Sequence, residues 1–206
     1  MTPKLERALG DGVEAIESLG LKYAVVGGLA LGAWAAPRAT RDVDLYVELP
    51  PASRPALAQA LRERAFHVPA MEDELQRFGV FRSRSRDGVF LDVFDSVGPL
   101  GEAIIARRRQ APLAGRVLWI VAPEDLALLK AFSDRPRDFD DLVALLSRAG
   151  SGIDLSYLER WARELDRSIG SNEVSERVHR ALGSGRPDAL DRRLGLGVDQ
   201  IPPNWE

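Results

Sequence analysis

Apolar residues recur at Leu5, Leu9, Val13, Ile16 and Leu19, the spacing of one helix face, so residues 4–19 predict an amphipathic helix stopped by Gly20. The period then changes. "KYAVVGG" reads as a buried strand ending at a glycine pair, and "LALGAWAA" as a short helix that stops before Pro37. In "DVDLYVEL", Val43, Leu45 and Val47 alternate with acid or polar positions, the period of a strand with one apolar face. Pro50 and Pro51 close that strand, and Ser53 stands at the capping position of a helix in "SRPALAQALRERAF". "RFGVFRSRSRDGVFLDVFDS" predicts a hairpin turning at Asp87-Gly88. A helix near residues 99–109 and a strand in "GRVLWIVA" follow.

From Pro123 the texture becomes helical. "PEDLALLKAF", "RDFDDLVALLSRAG" and "DLSYLERWARELD" carry helical periodicity, with Pro123 and Asp154 at starting positions and Gly150 at a stop. The stretch from "GSGRPDAL" to "GVDQIPPNWE" scatters Gly and Pro among few apolar residues and reads as a tail. The expected fold class is therefore α/β (α+β): strands and helices mixed around one sheet over residues 1–122, a helical part over 123–185 and an extended tail over 186–206.

Composition narrows the chemistry. The 206 residues are 45% hydrophobic and 29% charged, enough for a sizeable core. With 28 basic and 31 acidic residues the net charge is -3, which does not suggest a general nucleic-acid binder. The absence of cysteine excludes disulfides, thiolate nucleophiles and cysteine zinc sites. The two histidines, His67 and His179, are far apart and lack a carboxylate at helical spacing, which argues against a histidine-based dyad. No apolar run approaches the ~20 residues of a membrane span and the amino terminus lacks a signal-peptide pattern, so the sequence reads as cytosolic.

The residues that resist a purely structural reading are the acids. Asp42 and Asp44 stand two positions apart on one strand face, about 6.6 Å between Cα atoms, close enough for both carboxylates to reach one cation. Two such charges ~5 Å apart repel by about 3 kcal/mol at an effective dielectric near 20, so something positive is expected there. Magnesium suits an oxygen-only ligand set that includes substrate phosphates. A third acid, Asp92 in "VFLDVFD", shares a strand face with Phe90 and Phe94, an odd place for a carboxylate unless that end opens into a site. Asp95 is the nearest competitor, but it sits at the end of the apolar run, where a solvated acid or a helix cap is normal. Gly27 and Gly28 precede a helix, where backbone N–H groups can approach an anion.

Together, "VVGGLA…TRDVDLYV" resembles the glycine-glycine, spacer, Asp-x-Asp signature of the nucleotidyltransferase superfamily that includes DNA polymerase beta and the kanamycin-type antibiotic nucleotidyltransferases. "GGLALGAW…RATRDVDL" followed by "APEDLALLKAF…RPRDFDDL" is most similar to the abortive-infection type nucleotidyltransferase toxins of toxin-antitoxin systems. The resemblance spans roughly residues 20–147. It implies a mixed sheet with flanking helices, Mg²⁺ held by Asp42, Asp44 and Asp92, and transfer of a nucleoside monophosphate from an NTP to an acceptor hydroxyl with release of pyrophosphate. It assigns Gly27 and Gly28 to the phosphate-contacting turn; Gly28 stands where the family often has serine, which leaves that contact to backbone N–H groups.

Phosphoryl-transfer chemistry adds two metal ions, and positive side chains to neutralise the triphosphate. Arg41 beside the acid pair and Lys130, at the family's basic position, are the candidates. Lys130 reads equally as a snorkelling lysine. Asp140 reads as an ordinary first-turn acid, and Asp138 stays open. Trp34 reads as core packing. "FRSRSR" and "ARRR" fit either a basic face for RNA or solvated element ends. The acceptor is thus a tRNA end, a protein hydroxyl or a small molecule, and an antitoxin is a possible partner under the toxin-like reading. The competing reading is a non-catalytic or antitoxin-regulated nucleotide-binding protein; a phosphohydrolase is disfavoured because paired His and Asp ligands are lacking.

Overall fold

In the central strands the alternation becomes a two-faced sheet. β2 (Val43–Val47) buries Val43, Leu45 and Val47 completely and leaves Asp44 and Tyr46 partly exposed on the opposite face. β5 (Phe90–Asp95) runs parallel beside it with Leu91 and Val93 fully buried. Each such side chain removed from water stabilises by roughly 1.5–3 kcal/mol, which fixes the register, because a one-residue slip would turn the acids into the apolar face instead.

The structure is a computed structural model that describes residues 1–35, 37–149 and 152–184. The helix stop expected at Gly150 and the tail over 186–206 lie outside these residues. The described residues form two compact units, divided between Leu126 and Ala127.

The first unit is a mixed seven-stranded sheet in the order β3-β4-β5-β2-β1-β7-β6. β1 (Tyr23–Val25) pairs antiparallel with β2 and parallel with β7 (Arg116–Ile120). β4 (Val80–Ser85) pairs antiparallel with β5, and the edges are β3 (Phe66–His67) and β6 (Arg109–Leu113). Helix α1 (Pro3–Glu17), capped by Thr2, buries Leu5, Leu9, Val13 and Ile16. It packs on the apolar sheet face: a Cβ at Gly12 would stand 3.1 Å from Leu91 Cδ2. α1 therefore covers the face opposite the acids.

Three local expectations shift. Helix α2 spans Gly27–Trp34, so both glycines are its first residues rather than a turn before it. β2 begins at Val43, which places Asp42 in the bend just before the strand. Ser53 makes no side-chain cap to α3 (Arg54–Glu63), because a 3-10 turn over Pro51–Ser53 already holds it in helical geometry. Three elements carry little sequence signal: the two-residue β3, the polar helix α4 (Met71–Phe78), and β6, whose Pro112 is tolerated because the strand is an edge. Helix α5 (Gly98–Arg107) precedes β6.

Helix α6 (Pro123–Phe132) crosses the division between units. The second unit continues with α7 (Pro136–Ala149), α8 (Leu155–Ile169) and α9 (Glu173–Ser184). Asp154 caps α8 by accepting from the Tyr157 N–H at 2.9 Å, as its position in the sequence predicts. Buried Asp166 accepts from the backbone N–H groups of Val174 and Ser175 at 2.9 and 3.0 Å, capping α9 from the preceding helix. No helix among the described residues is long and apolar enough to cross a membrane.

Candidate active site

Strand pairing brings two of the three acids into one row. Asp44 on β2 is the register partner of Asp92 on β5, and Asp92 is also the register partner of Arg82 on β4. Arg82, Asp92 and Asp44 thus lie side by side across three strands. Phe90 stands beside this row along β5, with the Arg82 and Arg84 guanidiniums over its ring at 4.9 and 5.8 Å. On the other side Tyr46 and Phe94, also register partners, stack at 6.3 Å. Asp95 is committed elsewhere, in an ion pair with Arg54 of α3 at 2.9 Å.

The glycines and the acids meet at one contact. The Val26 N–H donates to the Asp44 carbonyl at 2.9 Å, carrying the β1–β2 pairing one residue beyond β1. The chain then turns into α2 at Gly27 with φ +62, where a Cβ would lie 2.0 Å from Asp44 Oδ2 and 2.7 Å from its Cγ. Only glycine lets the Asp44 carboxylate lie against the first turn of α2. Gly28 is close to the following loop: its Cβ would meet Thr40 Oγ1 at 2.9 Å and Arg38 Cζ at 3.4 Å.

Arg82 is the side chain that sequence reasoning missed. Its guanidinium grips Asp92 through both oxygens, Nε to Oδ1 at 2.7 Å and Nη2 to Oδ2 at 2.6 Å. These hydrogen bonds push the Arg82 pKa up despite partial desolvation, helped by the charges of Asp92, Asp42 and Asp44. The fold thus places a positive charge on Asp92, within the field of Asp42 and Asp44.

The donor set suits a hard cation: carboxylates on one sheet face, beside a helix start whose glycine leaves Asp44 room. Asp42 and Asp44 would hold such an ion, with Asp92 as the third ligand. Among the described residues, however, no three acids or imidazoles are gathered closely enough to form a metal cluster. The observed obstacle at Asp92 is that Arg82 takes both of its oxygens.

The remaining candidates divide. Arg41 is exposed beside Asp42. Lys130 belongs to the second unit, where its buried ammonium donates to Asp138 at 2.5 Å and pairs with Asp141 at 2.8 Å. Asp138 also accepts from Ser133 and Arg135 at 2.6 Å each. Burial alone would raise the Asp138 pKa, but the hydrogen bonds from Lys130 and Ser133 and the charges of Lys130 and Arg135 outweigh it and hold the carboxyl below its ordinary value. A carboxyl depressed on folding contributes stability above its unfolded pKa and loses it as pH falls through the folded one. Acid titration below about pH 4 is therefore expected to destabilise the wild type more steeply than Asp138→Asn, whose own cost at neutral pH is about 2 kcal/mol by chemical denaturation.

Trp34 is half-buried and donates its indole N–H to the Val121 carbonyl at 2.8 Å, tying the end of α2 to the segment after β7. "ARRR" is largely internal wiring: Arg107 pairs with buried Glu124 and Asp125, Arg108 stacks on Trp119, and Arg109 reaches Glu124.

The mixed sheet with its flanking helices and the helical second unit are consistent with a nucleotidyltransferase fold. The antibiotic-resistance factor ANT(2'')-Ia in solution superposes with a TM-score of 0.61 at 17% identity, over 82% of this chain and 97% of that one. Its complex with adenylyl-2''-tobramycin gives 0.56 at 18% identity, over 81% and 98%. A lincosamide antibiotic adenylyltransferase, LnuA with lincomycin bound, aligns more loosely, with 0.49 at 15% identity over 70% and 96%. No protein-family model and no curated protein matches the sequence.

Proposed function

We propose that the protein is a Mg²⁺-dependent nucleotidyltransferase that moves a nucleoside monophosphate from an NTP to an acceptor hydroxyl. The observation that carries this reading is the juxtaposition of Asp44 with Asp92 across parallel strands and with Gly27 at the start of α2. Structural likeness to the antibiotic-resistance factor ANT(2'')-Ia, solved in complex with adenylyl-2''-tobramycin, supports it through the fold.

In this reading Asp42 and Asp44 would hold two cations and Asp92 would join them as a ligand of the second; when bound, such ions would stabilise the attacking and leaving oxygens of an in-line displacement. The N–H groups of Gly27 and Gly28 approach the phosphates at the positive end of α2. Arg41 and Lys130 are the proposed counter-charges to the triphosphate, although Lys130 would have to share its ammonium with Asp138 and Asp141. The acceptor oxygen bonds to the α-phosphorus as the bond to the β-phosphate's bridging oxygen breaks, and pyrophosphate leaves. The acceptor proton passes to the Asp92 carboxylate.

The acceptor is a tRNA end, a protein or a small molecule. The part of the resemblance that points to an antitoxin-controlled toxin rests on the sequence motifs alone. Incubating the protein and Mg²⁺ with each labelled NTP and separate cellular RNA, protein and small-molecule pools is expected to label one pool; absence of label from all three would count against catalysis. The Arg82–Asp92 pair favours one second reading, a nucleotide-binding protein that retains the fold without loading Asp92. Under the catalytic reading, calorimetry detects Mg²⁺-dependent NTP binding; no binding at millimolar nucleotide would remove it.

A further inference from the structure

A carboxylate forked by a guanidinium gives that contact one lone pair of each oxygen and much of its charge, which leaves it a weaker cation ligand and a weaker base. Asp92 is in that state here, although its position beside Asp44 is the one the proposed chemistry needs. We propose that Arg82 is a latch on Asp92: it closes while no divalent cation is held, and a divalent cation competes with it for the Asp92 oxygens and displaces it on binding. This inference rests on the nucleotidyltransferase reading above and assigns Arg82 as a positioning residue, acting through Asp92.

Three features make Arg82 suited to release. Its side chain is 54% exposed, whereas that of Asp92 is 10% exposed, so the arginine can leave while the carboxylate stays. Its backbone is fixed independently, by the β4–β5 ladder and by donation of its N–H to Glu74 Oε2 at 2.8 Å, so release requires rotamer change alone. The Phe90 ring, 4.9 Å from the guanidinium, borders the acid row and offers the cation a second resting surface. The latch also accounts for a row of acids that tolerates its own repulsion before any ion arrives: the bidentate pair is strong and directional, and Asp42 and Asp44 add to the field on Arg82.

A closed latch taxes cation binding by the fraction of molecules in which it is open. Mn²⁺ binding to the full chain without nucleotide, read by electron paramagnetic resonance, tests this. Arg82→Gln is expected to tighten Mn²⁺ about tenfold, and Arg82→Lys, which keeps the charge but loses the fork, severalfold. Removing any positive charge near acids tightens a cation somewhat, so the decisive comparison is made in an Asp92→Asn background. There Arg82→Gln is expected to have no effect beyond a factor of about two, because the latch has nothing to hold.

Equal tightening in both backgrounds would overturn the latch, as would unchanged or weaker binding in Arg82→Gln, or no Mn²⁺ binding by either protein. If Arg82→Gln does not fold, Arg82→Lys carries the same comparison. Failure of the underlying reading looks different: Asp44→Asn would then leave Mn²⁺ affinity unaltered. An Asp44-dependent affinity that ignores Arg82 would remove the latch alone.

Discussion

Asp44→Asn is expected to leave a folded protein whose nucleotide incorporation falls by about a thousandfold or more, the scale of losing a principal electrostatic group in phosphoryl transfer. The substitution keeps shape and backbone, including the hydrogen bond from the Val26 N–H to the Asp44 carbonyl. It removes one negative charge from a row in which Asp92 is the immediate neighbour and Asp42 lies two residues away. The fold is therefore expected to persist, because the isosteric amide keeps the packing against Gly27. An activity lost in a protein that still unfolds cooperatively would separate a functional acid from a structural one. Asp95→Asn is the contrast: it breaks a largely buried pair with Arg54, so it is expected to lower Tm while incorporation persists. Undiminished incorporation by Asp44→Asn would remove the proposed metal role.

Why Asp44 and Asp92 were legible in the sequence and Arg82 was not follows from how each is placed. The acids interrupt apolar alternation, and burial of Leu45, Leu91 and Val93 forces both onto the opposite face whatever the pairing. The partner of Asp92 depends instead on hairpin register. A two-residue Asp87-Gly88 turn would set Arg82 opposite Val93. The observed loop has three residues, Arg86 to Gly88, with Ser85 N–H bonded to the Val89 carbonyl at 2.8 Å and Gly88 at φ +82. That is the geometry of a turn completed by a left-handed glycine, and the extra residue sets Arg82 opposite Asp92. The parallel β2–β5 pairing is less local still, because α3, β3, α4 and β4 intervene. Long helices behaved differently: α6 and α8 have the starting residues that Pro123 and Asp154 imply, since caps and periodicity act within a few residues. Lys130 shows the limit from the other side. Its "LLK" context cannot reveal two carboxylates from the next helix that bury its charge.

Gly27→Ala is expected to be as damaging to activity as substitution of the acid it touches, although it removes no functional group. Two costs combine. A left-handed conformation penalises an L side chain by roughly 1–2 kcal/mol, and an alanine at Gly27, held at φ +62, would incur it. The new Cβ would also lie 2.0 Å from Asp44 Oδ2 and 3.0 Å from Asp44 Cβ, so relief requires the carboxylate and its stem to move rather than a flexible tip to swing away. A displacement near 1 Å at a reacting centre lowers rate by about 100-fold. Gly20→Ala isolates the first cost, because Gly20 has φ +67 with nothing within 4 Å of its Cβ position. The expected result is a comparable backbone penalty in both variants, an additional Tm loss for Gly27→Ala, and loss of incorporation in Gly27→Ala alone. Equal activity in the two would mean that Asp44 tolerates displacement and that the contact between helix start and acid row serves packing. A selective loss would tie the glycine to the chemistry through the acid, with no phosphate contact needed to explain it.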